Sequence, residues 1–427
     1  MSLSKIYKRI MVKVSFLVLL SLSVCFKEAY TDTIIVGSPW PMFQHDTSHT
    51  GQNSFLGITS HPVRIWKTEL PAIAGEPANG MSMGADGTVY VSSHGKLYAL
   101  NSQNGDVEWQ FEYADNSRST PAIGNDGMIY WGYGDSFVAI TSTGQLEWGW
   151  TDLTYNYVFG SSPVIDRDNN IFFSHDGVWS FTHKGEFRWF YPAYWFSHSS
   201  PAIGADGTIY AAANFNEFVA LRPDGTLKWS LDVEANDNSP TLASDGTIYL
   251  GIGGVQEGAP ARLLALNPDG TSKWNFVLDN NIETIGMPPA IAADGTIYFG
   301  SGSVFRMTDT SFFYAVNPDG TLKWKLSIKA KDNQDWPPFF LAPPVVDKEG
   351  NVYLCSHNCS CYGVSQDGNI LWEVFFPVDI TGWPTWVDTA PLIVSDGYML
   401  ILDSHGFVHA FVEPTSTVYL PAVFRQY

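Results

Sequence analysis

The stretch SPAIGADGTIYAAANFNEFVALRPDGTLKW, Ser200–Trp229, decides the fold. It holds four short runs rich in Ile, Val, Tyr, Phe and Trp, side chains that suit pleated, half-buried strands. Asp206-Gly207 parts the first two runs and Pro223-Asp224-Gly225 the last two. Gly accepts a positive φ, Asp tolerates it and Pro presets φ, so both segments read as tight turns between antiparallel strands. Four short strands in a unit of about 40–50 residues make one blade of a β-propeller.

Copies of this unit extend in both directions. Its first half returns as TPAIGNDGMIY (Thr120–Tyr130), SPVIDRDNNIFF (Ser162–Phe173), SPTLASDGTIY (Ser239–Tyr249), PPAIAADGTIY (Pro288–Tyr298) and PPVVDKEGNVY (Pro343–Tyr353). Looser copies at Ser82–Tyr90 and Ala390–Leu400 bring the number to eight. The second half, ALRPDGTLKW in this copy, recurs with variants that end on Trp109, Trp148, Trp189, Trp229, Trp274, Trp324 and Trp372. Eight first strands therefore meet seven fourth strands downstream. The missing one, Val63-Arg64-Ile65-Trp66-Lys67, lies ahead of the first blade, and the last blade stops at Phe407–Phe411 after three strands. The expected fold is all-β: an eight-bladed β-propeller of four-stranded antiparallel blades, the last blade closed by the N-terminal strand. Such a closure removes the open edges of the ring. Trp66 and the seven repeat tryptophans give one large ring per blade. They read as docking residues packed on the neighbouring blade, each burial contributing roughly 2–3 kcal/mol.

The expected organisation is a signal peptide over 1–29, a leader over 30–62, the propeller over 63–412 and a tail over 413–427. Lys5, Lys8, Arg9 and Lys13 precede the apolar run Val14–Phe26, which is too short to span a bilayer comfortably. The chain is expected outside the cytoplasm: secreted, periplasmic or at the cell surface. Leu22-Ser23-Val24-Cys25 resembles a lipoprotein box, but Val fits poorly before the Cys, so simple secretion is favoured over lipidation at Cys25. Removing residues 1–29 takes away five of 23 Lys/Arg and one of 43 Asp/Glu, and moves the net charge from −20 to near −24. That balance excludes a nucleic-acid partner, which needs a positive footprint, and argues against anionic membrane surfaces. The protein is read as a monomer.

Here the repeats resemble a known family. Ala99-x-Asn101-x3-Gly105-x3-Trp109 resembles the tryptophan-docking motif of the pyrroloquinoline-quinone (PQQ) dehydrogenases, with Asn where that motif usually carries Asp. The other copies are one residue shorter and are similar to PQQ-like repeats. Trp40-Pro-Met-Phe-Gln-His-Asp-x2-His49-Thr-Gly51 resembles the segment that often precedes the first blade, so the resemblance runs from about 40 to 412. It implies the propeller fold. For activity it implies a range, from PQQ-dependent alcohol and glucose dehydrogenases to a non-enzymatic outer-membrane assembly lipoprotein and extracellular binding proteins. The alcohol dehydrogenases carry two adjacent Cys against the cofactor, and no two Cys are adjacent in this sequence. Their Ca²⁺-holding Glu, Asn and Asp and their catalytic Asp have no residue-by-residue match. PQQ is a tricarboxylate that needs Arg or Lys partners, and few are offered, among them Arg118, Arg188 and Arg306. No cofactor, metal or catalytic residue is therefore assigned, and PQQ with calcium stands as the alternative.

Antiparallel order places the short Asp-Gly turns on one face, and the variable second-to-third and blade-to-blade loops on the other. Variable loops on a rigid scaffold are where function usually sits. One blade-to-blade loop carries Tyr155, Tyr157 and Phe159, and the next Tyr194, Trp195, Phe196 and His198. Later ones carry Asp335, Trp336, Phe339 and Phe340, then Trp383, Trp386 and Asp388. Two long second-to-third loops add Glu257, Arg262, Arg306 and Asp309. Aromatic rings beside carboxylates suit sugar faces or peptide segments; the alternative is that individual rings pack the loops onto the propeller.

Three smaller constellations complete the reading. Cys355 and Cys361 flank a hairpin, so either a cross-strand disulfide between them or free thiols are expected, and the odd count with Cys359 leaves one thiol over; a metal held with His357 is the sharper alternative, although C-x3-C-x-C is not a standard zinc spacing. Asp166-x-Asp168-x-Asn170 occupies an ordinary first-turn position and reads as a turn. His45, Asp46 and His49 either pack and cap turns of the leader or chelate a metal. The leading expectation is a non-catalytic binding or scaffold propeller whose aromatic, acidic loop face takes a glycan, peptide or protein partner. The alternatives are a quinoprotein oxidoreductase acting on alcohols or sugars, and a glycan-cleaving enzyme, which would need a carboxylate pair roughly 5–9.5 Å apart.

Overall fold

The computed structural model describes residues 11–12, 40–71, 78–112, 117–151, 160–193, 198–214, 216–233, 235, 238–253, 260–279, 284–302, 310–329, 340, 342–357, 359–376 and 386–414. All regular structure among them is strand. Eight antiparallel sheets form the expected eight-bladed propeller. Blade 4 shows the pattern: Ala202–Ile203, Ile209–Asn214, Glu217–Leu221 and Leu227–Asp232, in that order from the inner to the outer edge. Blade 8 uses Leu392–Ser395, Tyr398–Leu402 and Phe407–Val412, and its outer strand is Val63–Glu69. The N-terminal strand thus completes the C-terminal blade, with Trp66 opposite Ala410 and Lys67 opposite His409. Blade 2 carries a fifth, two-residue strand, Met11–Val12, beyond Gly149 and Trp150.

Many of the turns are built by a carboxylate of their own. Asp206, Asp245 and Asp294 accept the backbone N–H two residues on, and Asp224, Asp269 and Asp319 do the same in the third-to-fourth turns. These side-chain turns replace the strand ladder where the chain reverses.

The tryptophans join the blades. Within a blade, the aromatic ring of the second strand packs on the Trp of the fourth. Seven such pairs, from Tyr90–Trp109 to Tyr353–Trp372, have ring centroids 5.6–6.1 Å apart. Between blades, the indole N–H of Trp109, Trp148, Trp189, Trp229, Trp274 and Trp324 donates to a carbonyl in the next blade's third-to-fourth turn, at 2.8–3.0 Å. The glycine of that same turn lies flat on the ring. From Gly105 on Trp66 to Gly368 on Trp324 there are seven such contacts, with φ between +76° and +86°, and an added Cβ would sit 2.5–2.8 Å from the indole. Glycine meets two demands here: the left-handed turn, and the space that the neighbour's ring occupies.

Blade 8 has no third-to-fourth turn, because its outer strand comes from the other end of the chain. Trp372 of blade 7 would therefore lack a partner. The leader supplies one: the Trp372 indole N–H donates to the Ile58 carbonyl at 2.6 Å. Trp66 donates to the Tyr398 hydroxyl, and Thr68 donates to the Gly105 carbonyl of blade 1. Cys355 and Cys361 face each other in blade 7 and are joined as a disulfide, and Cys359 is buried beside them in the chain.

Gly270→Ala should cost about 2–4 kcal/mol, combining left-handed strain with overpacking against Trp229. Gly127→Ala shares the positive φ but meets nothing within 4 Å, so it should cost about 1–2 kcal/mol. Urea unfolding of both variants checks this; equal losses would show that docking on the indole contributes nothing.

Candidate functional site

A propeller's innermost strands leave one row of backbone N–H groups facing the axis, and buried donors need acceptors. In this chain the leader provides them. The carbonyls of Trp40, Pro41, Thr47, Ser48, Thr50, Gly51 and Leu56 accept from Met83, Ile123, Ile203, Leu242, Ile291, Val346 and Gly397, at 2.7–2.8 Å. Those donors belong to blades 1, 2, 4, 5, 6, 7 and 8. Met42 packs in the cluster that holds Val164 and Ile165 of blade 3. The leader thus runs once around the axis and closes the channel at the end where the inner strands finish.

Side chains hold this irregular segment in shape. Asp46 accepts from the backbone N–H groups of Ser48 and Thr50 at 2.9 and 3.1 Å, from the Thr50 hydroxyl and, at 3.5 Å, from His45. Burial pushes its carboxyl up, but the bonds and charge of His45 and the bonds from Thr50 outweigh burial and hold it below the usual range. The His49 ring donates from Nδ1 to the Pro240 carbonyl at 3.0 Å, which sets its tautomer. Burial pushes the His49 imidazole down to about 4. Gln44 donates from Nε2 to the Pro289 carbonyl at 3.2 Å. The leader's two histidines and aspartate therefore serve packing and turn formation, and among the described residues no three His, Cys, Asp or Glu side chains converge on a metal position.

Above this floor lies a cavity of about 250 Å³, open on the face of the variable loops and lined by residues from every blade. Part of its wall is a belt of hydroxyls. The Thr120 N–H donates to Ser162 Oγ, the Ser162 N–H to Ser200 Oγ and the Ser200 N–H to Ser239 Oγ, at 2.8–2.9 Å. This explains the Ser or Thr that opens the repeat in blades 2 to 5. In blades 6 and 7 the position is Pro288 and Pro343, which can neither donate nor accept through a hydroxyl, and the belt ends. Charged groups are sparse: Arg118, His198 and Asp388 are the ionisable side chains among the described lining residues.

Of the candidate loop residues, Tyr155, Tyr157, Trp195, Arg306, Trp336 and Trp383 lie outside the described residues. His198 lies at the cavity, exposed, its ring against Gly160. Asp388 lines the cavity and accepts from or pairs with His357 Nδ1 at 3.0 Å, and the His357 ring stacks on Trp386 with centroids 4.3 Å apart. Phe340 is buried against Phe313 and Gly300, so this loop ring packs the scaffold. Sequence reasoning missed Gln44 and Met287 at the cavity, and it named Arg118 only as one of few cations.

The chain matches the family model described as outer membrane protein assembly factor BamB, over residues 63–192 and 174–406. The chain belongs to this family of PQQ-like repeat propellers. No curated protein matches it in sequence. Among solved structures it is similar to a europium-containing methanol dehydrogenase (13% identity, TM-score 0.65, covering 86% of this chain and 90% of that one). It is also similar to BamB from Moraxella catarrhalis (14%, 0.58, 82% and 99%) and to the quinohemoprotein alcohol dehydrogenase from Comamonas testosteroni (13%, 0.68, 87% and 80%). At such identities the likeness is one of fold.

Among the described residues the donor set does not fit the quinone of the dehydrogenases. Three carboxylates call for several cations, and Arg118 is the one Lys or Arg among the described lining residues. Asp388 is the one lining carboxylate among them, with neither a calcium-binding set nor a hydrolytic pair around it. Cys355 and Cys361 are buried within blade 7 and do not line the cavity.

His49 gives the leader a pH signature. Its pKa is lower folded than unfolded, so the unfolded chain takes up the proton first as pH falls. Stability should drop by roughly 3 kcal/mol from this group between pH 6.5 and 4. Denaturant unfolding of wild type and His49→Gln across that range checks it: the variant should lose less stability on acidification.

Proposed function

We propose that the chain is a non-catalytic, extracytoplasmic binding or scaffold propeller that presents its loop face to a glycan, peptide or protein partner. The observation that carries this reading is the asymmetry of the channel. The leader closes one end with bonds to seven blades, and the open end carries the loops in which the aromatic and acidic residues are concentrated. The family description, an outer membrane assembly factor, supports a protein partner. The sparse charge around the cavity suits recognition by shape and hydrogen bonding, and a positively charged N-terminus followed by an apolar run supports export.

The competing reading is a quinoprotein oxidoreductase, favoured by the fold shared with the two dehydrogenases. One set of measurements separates the two. Purified protein is screened against glycans and extended peptides, and Trp336→Ala and Trp383→Ala are compared with wild type. Loss of about 2 kcal/mol or more of binding at an unchanged melting temperature would mark these rings as anchors. Quinone absorbance that stays with the protein after addition of PQQ and Ca²⁺, together with dye reduction by alcohols or sugars, would instead establish the oxidoreductase.

A further inference from the structure

The junction between blades 4 and 5 is underfilled. Beyond the docking Trp, two positions meet across a junction: the residue two after that Trp, and a residue in the middle of the next blade's third strand. Between blades 2 and 3 these are Trp150 and Trp179, with ring centroids 5.0 Å apart, and between blades 5 and 6 they are Phe276 and Tyr314, at 5.9 Å. Between blades 4 and 5 the same positions are Leu231 and Leu264. Two leucines fill less space than two rings, and a groove of about 440 Å³ remains there, open on the outer wall of the propeller.

The floor of the groove is the third strand of blade 5, Arg262–Leu266. Its Leu264 and Leu266 face blade 4 and pack in the cluster that holds Phe218 and Ala220. Side chains two apart share one face of a strand, so Arg262 stands in line with both leucines, at the end where the second-to-third loop arrives. Its register partner Val277, on the same face, is 50% exposed. Asn275 lies opposite Leu264, its Nδ2 donating to Ser272 Oγ at 3.4 Å. Arg262 is half-buried, lines the groove and is in no ion pair with the described residues. Asp232 borders the groove, but its side chain belongs to the other side of blade 4. The Tyr191 hydroxyl of blade 3 donates to Glu217, and Asp232 is the register partner of Glu217, so both carboxylates stand toward blade 3. A row of aliphatic side chains therefore ends on one cation, and a partly desolvated guanidinium makes its strongest bonds to a carboxylate.

We propose that this groove binds a medium-chain aliphatic carboxylate. The carboxylate sits on the Arg262 guanidinium, and the chain lies along Leu264 and Leu266 beside Leu231 and Val277. Arg262 and Leu266 are four residues apart, about 13 Å along the strand. At about 30 Å³ per water-sized group, the groove holds roughly fifteen non-hydrogen atoms. Decanoate fits both measures, and each CH₂ that leaves water for the leucines adds affinity. The site lies between two blades, separate from the axial cavity, and does not rest on the loop-face reading.

Calorimetric titration of the purified protein with decanoate tests the assignment. Saturable binding is expected. Decyltrimethylammonium, with the same chain and the opposite charge, and hexanoate, with a shorter chain, should each bind weaker by about tenfold or more. Arg262→Ala should weaken decanoate by a similar factor without weakening decyltrimethylammonium, a difference that a merely structural role would not produce. Arg262→Lys should recover part of the loss. Leu231→Phe copies the ring that Phe276 carries at the equivalent position of blade 5. It should abolish decanoate binding at an unchanged melting temperature. Absence of saturable decanoate binding, undiminished affinity in Arg262→Ala or in folded Leu231→Phe, or decyltrimethylammonium binding as tightly as decanoate would overturn the proposal. So would tighter binding of a short peptide that ends in Val-Leu with a free carboxylate, which would make the occupant a chain terminus. Loop-face binding measured in Leu231→Phe should be unchanged, so the two readings fail separately.

Discussion

The structure depends on one repeated contact: an indole laid on a glycine turn of the following blade. Six of the eight docking tryptophans, from Trp109 to Trp324, each do three things at once. Each stacks on its own blade's second-strand ring, covers the neighbour's turn and donates its N–H to that turn's carbonyl. Apolar packing alone is non-directional and would allow blades to slide. The indole N–H adds a direction, and the left-handed glycine adds a shape, so each blade finds one position against the next. The residues outside the Trp are correspondingly tolerant, and exposed apolar side chains such as Leu227 and Leu322 sit two positions before it without harm to the contact.

The same contact explains why the leader is needed. A ring closed by pairing the chain's two ends has one place where the docking turn cannot exist, and this is the seam between blades 7 and 8. Ile58 fills that place with a carbonyl and no turn. From there the leader continues inward, where it satisfies the inner strands and so becomes the floor of the cavity. Closure of the seam, satisfaction of the inner edge and definition of the site are therefore carried by one stretch of about 30 residues.

What could be read from the amino acids alone follows from how local each signal is. Asp-Gly turns, alternating strands and the Trp that ends each repeat are decided within a few residues, so the eight blades and the borrowed strand, read as Val63–Lys67 and observed as Val63–Glu69, are legible by counting. The leader is different. Its motif stands out as Trp-Pro-Met-Phe-Gln-His-Asp, but its path is irregular backbone whose partners lie far away: Gln44 reaches Pro289, and Asn53 reaches the Ile393 carbonyl. No periodicity encodes such contacts. The pairing of His357 with Asp388 is hidden for the same reason: His357 lies in the second-to-third hairpin of blade 7 and Asp388 in the segment entering blade 8, 31 residues on. The Ser or Thr before Pro is visible as part of the repeat, but that its hydroxyl accepts from the preceding blade is a contact between blades that no local pattern encodes.

The borrowed strand also dictates an order of events in time. Val63 pairs with Val412, at the far end of the propeller. When a chain emerges N-terminus first, the strand that finishes the ring is made before the sheet that receives it. The borrowed strand Val63–Glu69 must therefore wait for its partner, Phe407–Val412, until nearly the whole polypeptide is present. Loop-closure entropy over such a span grows only slowly with length, but contacts of such long range form late and leave apolar strands exposed in the meantime. Closure of the ring is thus a late event, and a chain cut short in its last blade would lose the partner of its borrowed strand.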